Sequence, residues 1–511
     1  MRERSGMGID MVYSFHHFYY WVRGGLEYAQ AYRAKVLRRI GVDARFVFTT
    51  MFPDTAIWQV MEEMGFLDSE VLWLNGFFTD CRVSPVTYTL EQLRASFGEK
   101  NFTFSRKGSV VTYSFPDRQS YYVVHMKDST SNCVYKVEMI VNGCLLRTDY
   151  YTYCRIYSEY YAPLDGQAHL YLRRYFQQDG TTAYEEIIDR DEVVYKFPDR
   201  ILYSKNELLG YMISRLQLTK EDVILIDAAM GTIDIAAIIQ NAAPARIGLV
   251  MHSNHFVESE TDEDHVRWHV YYEYAMSHPE LLAFYIASTE VQNRYLTEQF
   301  RRYKQVTSNV VTIPPSGLDM LQYPQERRRK HAVITASRLA FEKHVDWIIT
   351  AVVEARRAVP DLTLDIYGEG GEEQKLRRQI EQLQCGEYVR LCGHRKLDEV
   401  YRDYEVYVSA SFMESFGITF MEAIGAGLAL VGFDVLYGSR NFIDEGENGY
   451  IVPWKNTMDE KERIHMLAAC MIRLFTEDDL DAFHEHSYQK ARGYLTEEIE
   501  RKWRDLLCRE I

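Results

Sequence analysis

Two carboxylates bracket the stretch Glu414-Ser-Phe-Gly-Ile-Thr-Phe-Met-Glu422. The β-prone run Val406–Ser409 leads into a loop, and the pattern predicts a helix starting near Gly417. The open N–H groups of a helix start, here Phe416, Gly417 and Ile418, can hold a diphosphate with the helix dipole behind them. Glu422 falls in the first turns, where it could accept ribose hydroxyl protons. Glu414 sits just before the helix, placed to meet a sugar. The competing explanation is an ordinary carboxylate pair that favours the dipole.

A second set of charges precedes it: Ser337-Arg338-Leu-Ala-Phe-Glu-Lys343, directly after the β-run Ala332–Thr335. Arg338 can grip phosphate oxygens as a fork and Lys343 supplies a point charge. Together they could neutralise a nucleoside diphosphate as a glycosidic bond breaks. A surface salt-bridge cluster is the alternative. Tyr367-Gly368-Glu-Gly370-Gly371 is a glycine turn after another strand, and Gly393-His394-Arg395-Lys396 follows the next; either could border a nucleotide or be a plain turn. Gly24 and Gly25, at the start of an N-terminal helix, are further candidate contacts to a donor. His252, in His252-Ser-Asn-His255, could hydrogen-bond a donor sugar or an acceptor, with metal ligation or a core histidine as alternatives. Asp262-Glu-Asp264 and Asp189-Arg-Asp191 match the metal-binding Asp-x-Asp pattern but lack a strand-end context, so both read as solvated acids. No metal is required, because the cations and the helix start serve the leaving group.

These candidates need strands to carry them. Met11–Phe15, the helix Leu26–Arg39 and Asp43–Thr49 make a βαβ start typical of a Rossmann-like sheet. From about Cys81 the period shortens. Asn101–Phe104, Ser109–Phe115, Ser120–Met126, Cys133–Val141 and Ala168–Phe176 read as strands, with turns at Pro116-Asp117, Asn142-Gly143, Asp165-Gly166 and Asp179-Gly180. This tyrosine-rich meander is either a stabilising embellishment or a docking surface. Val223–Asp227, the helix Thr232–Gln240, Arg246–Met251 and Leu282–Ala287 resume the alternation. Ala332–Thr335, Leu362–Tyr367, Tyr388–Leu391, Val406–Ser409 and Leu428–Phe433 make a second parallel sheet, with helices such as His344–Arg357 and Glu372–Leu383 between them. The predicted class is α/β, with two Rossmann-like domains facing a cleft and an antiparallel β-meander inserted in the first. Its parts are residues 1–79 and 199–325 (first domain, acceptor side), 80–198 (insertion), 326–490 (second domain, donor side) and a C-terminal helical segment, 491–511, expected to cross back to the first.

Composition narrows the function classes. A length of 511 residues requires two or three domains. The formal charge of −16 argues against broad nucleic-acid binding. The basic run Arg327–Lys330 reads as a solvated linker. No apolar stretch approaches the roughly 20 residues of a membrane span, and Met1–Met11 does not resemble a signal peptide, so a cytoplasmic protein is expected. The eight cysteines form no Cys-x-x-Cys pair and read as free thiols.

TASRLAFEKH, IYGEGG, CGH, SASFMESFGITFMEAIGAG and EGENGYIVP, within about His331 to Trp454, resemble family 4 retaining GT-B glycosyltransferases. The chain as a whole is similar to one branch, the catalytic subunits that initiate O-glycosylation of serine-rich-repeat adhesins in Gram-positive accessory Sec systems. GGLEYAQAYRAKVLRRI, MHSNHFVESE, IASTEVQNRYL, FDVLYGSRNFIDEGENGY and the β-meander carry that likeness. It departs at Tyr13–Arg23, which is bulky and aromatic where a smaller glycine-containing loop is expected, and in Glu-Ser-Phe-Gly where Glu-Gly-Phe-Gly is often seen; Gly417 survives. The resemblance implies UDP-GlcNAc or UDP-glucose as donor substrate, no cofactor, and serine or threonine hydroxyls of an adhesin as acceptor. It also implies a homologous, catalytically silent partner subunit, and a place in the cytoplasm or at the cytoplasmic face of the membrane. Two alternatives keep the fold: a wall teichoic acid α-glycosyltransferase acting on a polyol-phosphate, and a silent substrate-binding subunit. Retention of Arg338, Lys343, Glu414 and Glu422 argues against the latter.

Overall fold

The computed structural model describes residues 9–17, 24–52, 57–98, 101–115, 119–228, 232–454 and 458–508. Most of the aromatic loop Tyr13–Arg23 and the Pro116-Asp117 turn lie outside them. By packing, the chain divides into two compact units: residues 1–249 with 270–283, and residues 250–269 with 284–511.

The first seven-stranded sheet runs in the order Val310–Thr312, Phe284–Ala287, Arg246–Met251, Val223–Ala228, Val12–His16, Ala44–Phe48, Val71–Trp73. Val12–His16 pairs in parallel with both Ala44–Phe48 and Val223–Ala228. All five residues of Val12–His16 are buried, as expected of a central strand covered on both faces. The helix Gly25–Arg39 turns its apolar residues Ala29, Ala34, Val36 and Leu37 inward.

Along the chain, between Val71–Trp73 and Val223–Ala228, comes a ten-stranded antiparallel sheet, in which every strand from Thr103–Lys107 to Ile201–Leu202 pairs with the next in sequence. Two of its two-residue turns are ones the sequence marks, and two others, at Gly108-Ser109 and Arg190-Asp191, are not. Asn142 and Gly143 (φ 50° and 78°), and Asp165 and Gly166 (φ 51° and 74°), adopt the left-handed pairs that two-residue hairpins need. The tyrosines explain themselves here. Tyr150, Tyr157, Tyr175, Tyr184 and Phe197 stack in series across neighbouring strands, with ring centroids 4.3, 5.6, 4.4 and 4.7 Å apart. All five are buried. Their hydroxyls reach the edge of the Rossmann-like sheet: Tyr184 donates to the Asn75 carbonyl at 2.7 Å, and Asn75 donates to the Tyr175 oxygen at 3.0 Å. This part of the aromatic content is therefore core, and it mounts the inserted sheet on the first one.

The second parallel sheet has six strands, in the order Val389–Gly393, Thr363–Tyr367, Ala332–Ala336, Val406–Ser409, Ala429–Phe433, Gly449–Val452. Numbered along the chain this is 3-2-1-4-5-6, so the winding direction reverses between Ala332–Ala336 and Val406–Ser409. Helices Val345–Ala355 and Glu460–Thr476 pack their buried faces against it.

The basic run Arg327–Lys330 corrects the expectation of a solvated linker. Arg328 donates to the carbonyls of Arg402, Tyr404 and Ala426 at 3.0, 2.7 and 2.6 Å and to the Tyr488 hydroxyl at 3.0 Å. Arg329 pairs with the buried Asp365 at 2.8 Å. The guanidinium fork gathers acceptors that come from separate elements, two of which, Tyr488 and Ala426, are also bonded to each other at 2.9 Å. Arg328→Met should strand these acceptors and lower the stability of its unit by about 3 kcal/mol in urea denaturation. Arg328→Lys should recover only part of that loss, since one ammonium cannot span the set.

Candidate active site at the second sheet's switch point

The loops leaving Ala332–Ala336 and Val406–Ser409 flank the point where the winding reverses, which is where open α/β sheets form their crevice. The first carries Arg338 and Lys343; the second carries Glu414. They are joined directly. Lys343 Nζ lies 2.5 Å from Glu414 Oε1 and 3.4 Å from the Ser411 hydroxyl, and the Phe412 amide donates to the Glu342 carbonyl at 3.3 Å. Both side chains of the ion pair are less than a fifth exposed, at 19% and 17%. Arg338 stays largely in solvent, holding Glu342 at 2.8 Å.

Two glycines let a third loop close against these. A Cβ on Gly368 would come within 1.8 Å of the Ser337 carbonyl oxygen, and one on Gly370 within 2.3 Å of that of Leu339. Backbone bonds lace the contact: Ser337 to Tyr367 at 3.1 Å and Leu339 to Glu369 at 2.9 Å. Gly368 and Gly370 thus fix the Arg338 loop by packing. The Gly368 amide also donates to the Gly393 carbonyl, and the His394 amide to Glu369 Oε1 at 3.3 Å, which brings the next loop alongside. Arg395 is exposed, and Lys396 pairs with Asp398 in solvent.

Gly417 caps the helix Ile418–Gly425. The amides of Phe420 and Met421 both return to the Gly417 carbonyl. Those of Ile418 and Thr419 remain as the open donors that an anion can use. The Phe416 ring is buried against Phe442 and Tyr494, so only its backbone is available there. Glu422 lies further along, its carboxyl enclosed and receiving the Tyr401 hydroxyl at 3.3 Å. Burial pushes its pKa up to about 7, against the opposing Tyr401 hydrogen bond and with a contribution from Asp398.

Residues the sequence did not single out complete this arrangement. Gly438, opening the short helix Gly438–Phe442, leaves room for Glu414: a Cβ there would lie 2.4 Å from that of Glu414. Ser411 and Tyr401 supply the polar contacts just described. Gly438 had a signal, a glycine after a strand, but Tyr401 had none.

The remaining candidates lie on other elements. Gly24 caps the helix Gly25–Arg39 in the other unit, its amide donating to the buried Glu27 at 2.9 Å. His252 is half-buried just after Arg246–Met251. His255 is a core histidine, bonded to Gln299 at 2.7 Å and the Tyr437 hydroxyl at 3.0 Å, and its burial lowers the pKa to about 4. The two Asp-x-Asp stretches are turns. Asp262 accepts the amides of Asp264 and His265, and Asp189-Arg-Asp191 rounds a hairpin. Among the described residues, Asp444, Glu447 and His486 are grouped closely enough to hold a metal ion, but Lys490 at 2.8 Å from Asp444 already makes them an ion-pair network.

Glu422 yields a pH prediction. A carboxyl whose pKa is raised by folding holds its proton more tightly in the folded chain. Its contribution is complete below the ordinary carboxylate range and is lost as pH rises through 7. Glu422→Gln, which cannot ionise, should gain on the parent by up to about 3 kcal/mol in denaturation experiments between pH ~4 and ~8. A difference that stays flat would mean an ordinary carboxylate.

Comparison with known proteins shows what the chain is similar to. Residues 322–471 match the family described as Glycosyl transferases group 1, and residues 103–199 match the GtfA extended beta-sheet domain. The chain is 42% identical over 488 residues, 95% of its length and 96% of the relative's, to the UDP-N-acetylglucosamine--peptide N-acetylglucosaminyltransferase GtfA subunit of Streptococcus gordonii. Among solved structures, a GtfA/B complex matches with a TM-score of 0.93 at 41% identity, covering 97% of this chain and 99% of that one. The pneumococcal O-GlcNAc transferase GtfA in complex with UDP and GlcNAc matches with a TM-score of 0.88 at 38% identity, covering 97% and 98%. The poly(ribitol-phosphate) alpha-N-acetylglucosaminyltransferase of Staphylococcus aureus is more distant, at 24% identity over 68% of this chain and 71% of its own. The two-Rossmann GT-B fold is common to the solved relatives, and relatives this similar over nearly the full length show that the chain belongs to the GtfA-subunit family of glycosyltransferases.

Proposed function

We propose that this protein transfers GlcNAc from UDP-GlcNAc, with retention of the anomeric configuration, to serine and threonine hydroxyls of a serine-rich-repeat surface adhesin before its export. The observation that carries this reading is the Lys343–Glu414 ion pair at the switch point. Support for the donor and the acceptor class comes from the relatives, which are named for UDP-GlcNAc and peptide and include one solved with UDP and GlcNAc. The polyol-phosphate alternative is weaker, since relatives named for such acceptors are far less similar.

In this reading Arg338 and Lys343 hold the diphosphate with the open amides of Ile418 and Thr419. Glu422 takes the ribose hydroxyls, and the loops at Gly368–Gly370 and His394–Lys396 border the nucleotide. Gly24, Gly25 and His252 act on the donor sugar and its acceptor. An arriving diphosphate competes with Glu414 for the Lys343 ammonium, which leaves the Glu414 carboxylate to orient the sugar. As the bond from the anomeric carbon to the β-phosphate oxygen breaks, its electron pair stays with UDP, where the cations stabilise the new charge. The acceptor oxygen forms the new bond, and its proton passes to the departing UDP. A homologous subunit grips the unfolded acceptor, and the assembly works at the cytoplasmic face of the membrane; support for a partner subunit comes from the relative solved as a GtfA/B complex. No described helix is long and apolar enough to cross it.

The test is mass spectrometry of a serine-rich peptide and of a polyol-phosphate polymer, each incubated with UDP-GlcNAc or UDP-glucose, with and without the partner subunit. The peptide should gain GlcNAc and the polymer nothing. Lys343→Ala and Glu414→Gln should each lower kcat/KM by about 100-fold or more. Full transfer by either variant would remove these residues from the chemistry.

A further inference from the structure

The structure brings together two cysteines that are distant in sequence. Cys81 Sγ and Cys154 Sγ lie 3.6 Å apart across 73 positions, and both are part-exposed. Cys81 follows the first sheet's edge strand Val71–Trp73, in the segment that leads toward the inserted sheet. Cys154 sits in the short turn between the strands Cys144–Tyr151 and Arg155–Leu164. The Arg82 amide donates to the Tyr153 hydroxyl at 3.1 Å, which ties the two segments directly, and a third turn braces the first of them: the Gln178 amide donates to Asp80 at 2.7 Å and the Gln178 side chain to the Asp80 carbonyl at 2.6 Å. Little movement is needed to bring the sulfurs into bonding distance.

Access is also built in. Cys81 lines a cavity of about 670 Å³, walled by Trp73, Thr79, Arg82, Ser84 and Tyr175, which is ample for a small oxidant. We propose that Cys81 and Cys154 are a reversible redox pair, oxidised to a disulfide that staples the segment 79–82 to the hairpin turn at 152–154 along the wall of this cavity.

With hydrogen peroxide as oxidant the chemistry balances in two steps. The Cys81 sulfur attacks one peroxide oxygen, the O–O bond breaks, and a sulfenic acid and water form. The Cys154 sulfur then attacks the Cys81 sulfur, the S–O bond breaks, and a second water leaves with the Cys154 proton. The two thiols give up two electrons in all, and the peroxide accepts them. The order of attack follows from access, since Cys81 lines the cavity, and the adjacent Cys154 thiol also holds Cys81 below its ordinary pKa. A dithiol returns both cysteines to thiols by two exchange steps and leaves as its own disulfide.

The experiment treats the reduced full-length protein with stoichiometric hydrogen peroxide, traps free thiols, and maps peptides without reduction. The expected result is a dominant peptide pair joining Cys81 to Cys154, two hydrogens lighter than its reduced parts and released by dithiothreitol. Cys81→Ser and Cys154→Ser should each abolish it, and Cys144→Ser and Cys508→Ser, at exposed positions, should leave it intact. Cys81→Ser should also slow peroxide consumption at least tenfold relative to Cys154→Ser. The proposal is overturned if peroxide oxidises the exposed cysteines while this pair stays reduced, or if Cys81 goes on to the sulfinic acid with Cys154 free. A crosslink that survives in either serine variant overturns it as well.

Discussion

The half-buried contact between Lys343 and Glu414 joins the two loops on which the second sheet's crevice depends. One loop leaves the first strand of the sheet and the other leaves the fourth, so only the reversal of winding makes them neighbours. The supporting contacts all serve that juxtaposition. Gly368 and Gly370 admit the backbone of the Arg338 loop, Gly438 admits the side chain of Glu414, and Ser411 holds Lys343 from the side. An ammonium and a carboxylate held this way are a charge pair waiting for a third party. A diphosphate brings more negative charge than Glu414 and open amides to meet it, so the pair is suited to exchange its partner when the donor arrives.

A different constraint governs the inserted sheet. Ten antiparallel strands pair their backbones with one another and need an apolar face to pack. The tyrosine series supplies apolar area along the ring faces and hydrogen bonds at the hydroxyls, which is why tyrosine rather than phenylalanine dominates it. Charged residues then pair across the strands rather than facing solvent alone. Arg173 bridges Glu159 and Glu186, and Arg174 meets Glu185. The exposed aromatics, such as Phe104 and Tyr203, are a smaller set outside this ladder.

Much of the fold was legible because parallel strands buried on both faces read as apolar runs. Val223–Ala228, Ala332–Ala336 and Val406–Ser409 were visible for that reason, as were the loops after them with Arg338, Lys343 and Glu414. Strands Cys144–Tyr151, Arg155–Leu164 and Thr182–Asp189 were not, because the residues that stabilise them, such as Glu159 and Glu186, are charged and find partners only across the sheet. Tyrosine clustering was visible, but not which face it served. Arg328 looked like a linker residue because its acceptors come from elements 74 to 160 positions away. At the site, carboxylates and cations could be picked out by type and spacing. The space Gly438 leaves for Glu414, and the enclosure that raises the Glu422 pKa, arise only from packing.

Competition for Lys343 is the central claim, and UDP binding measured by calorimetry tests it most directly. UDP carries the diphosphate without the sugar, so it needs the lysine but not Glu414. Lys343→Met should weaken UDP at least tenfold, whereas Glu414→Gln, by releasing the ammonium, should bind UDP as tightly as the parent or more so. Equal weakening by both substitutions, or unchanged binding in Lys343→Met, would contradict the account.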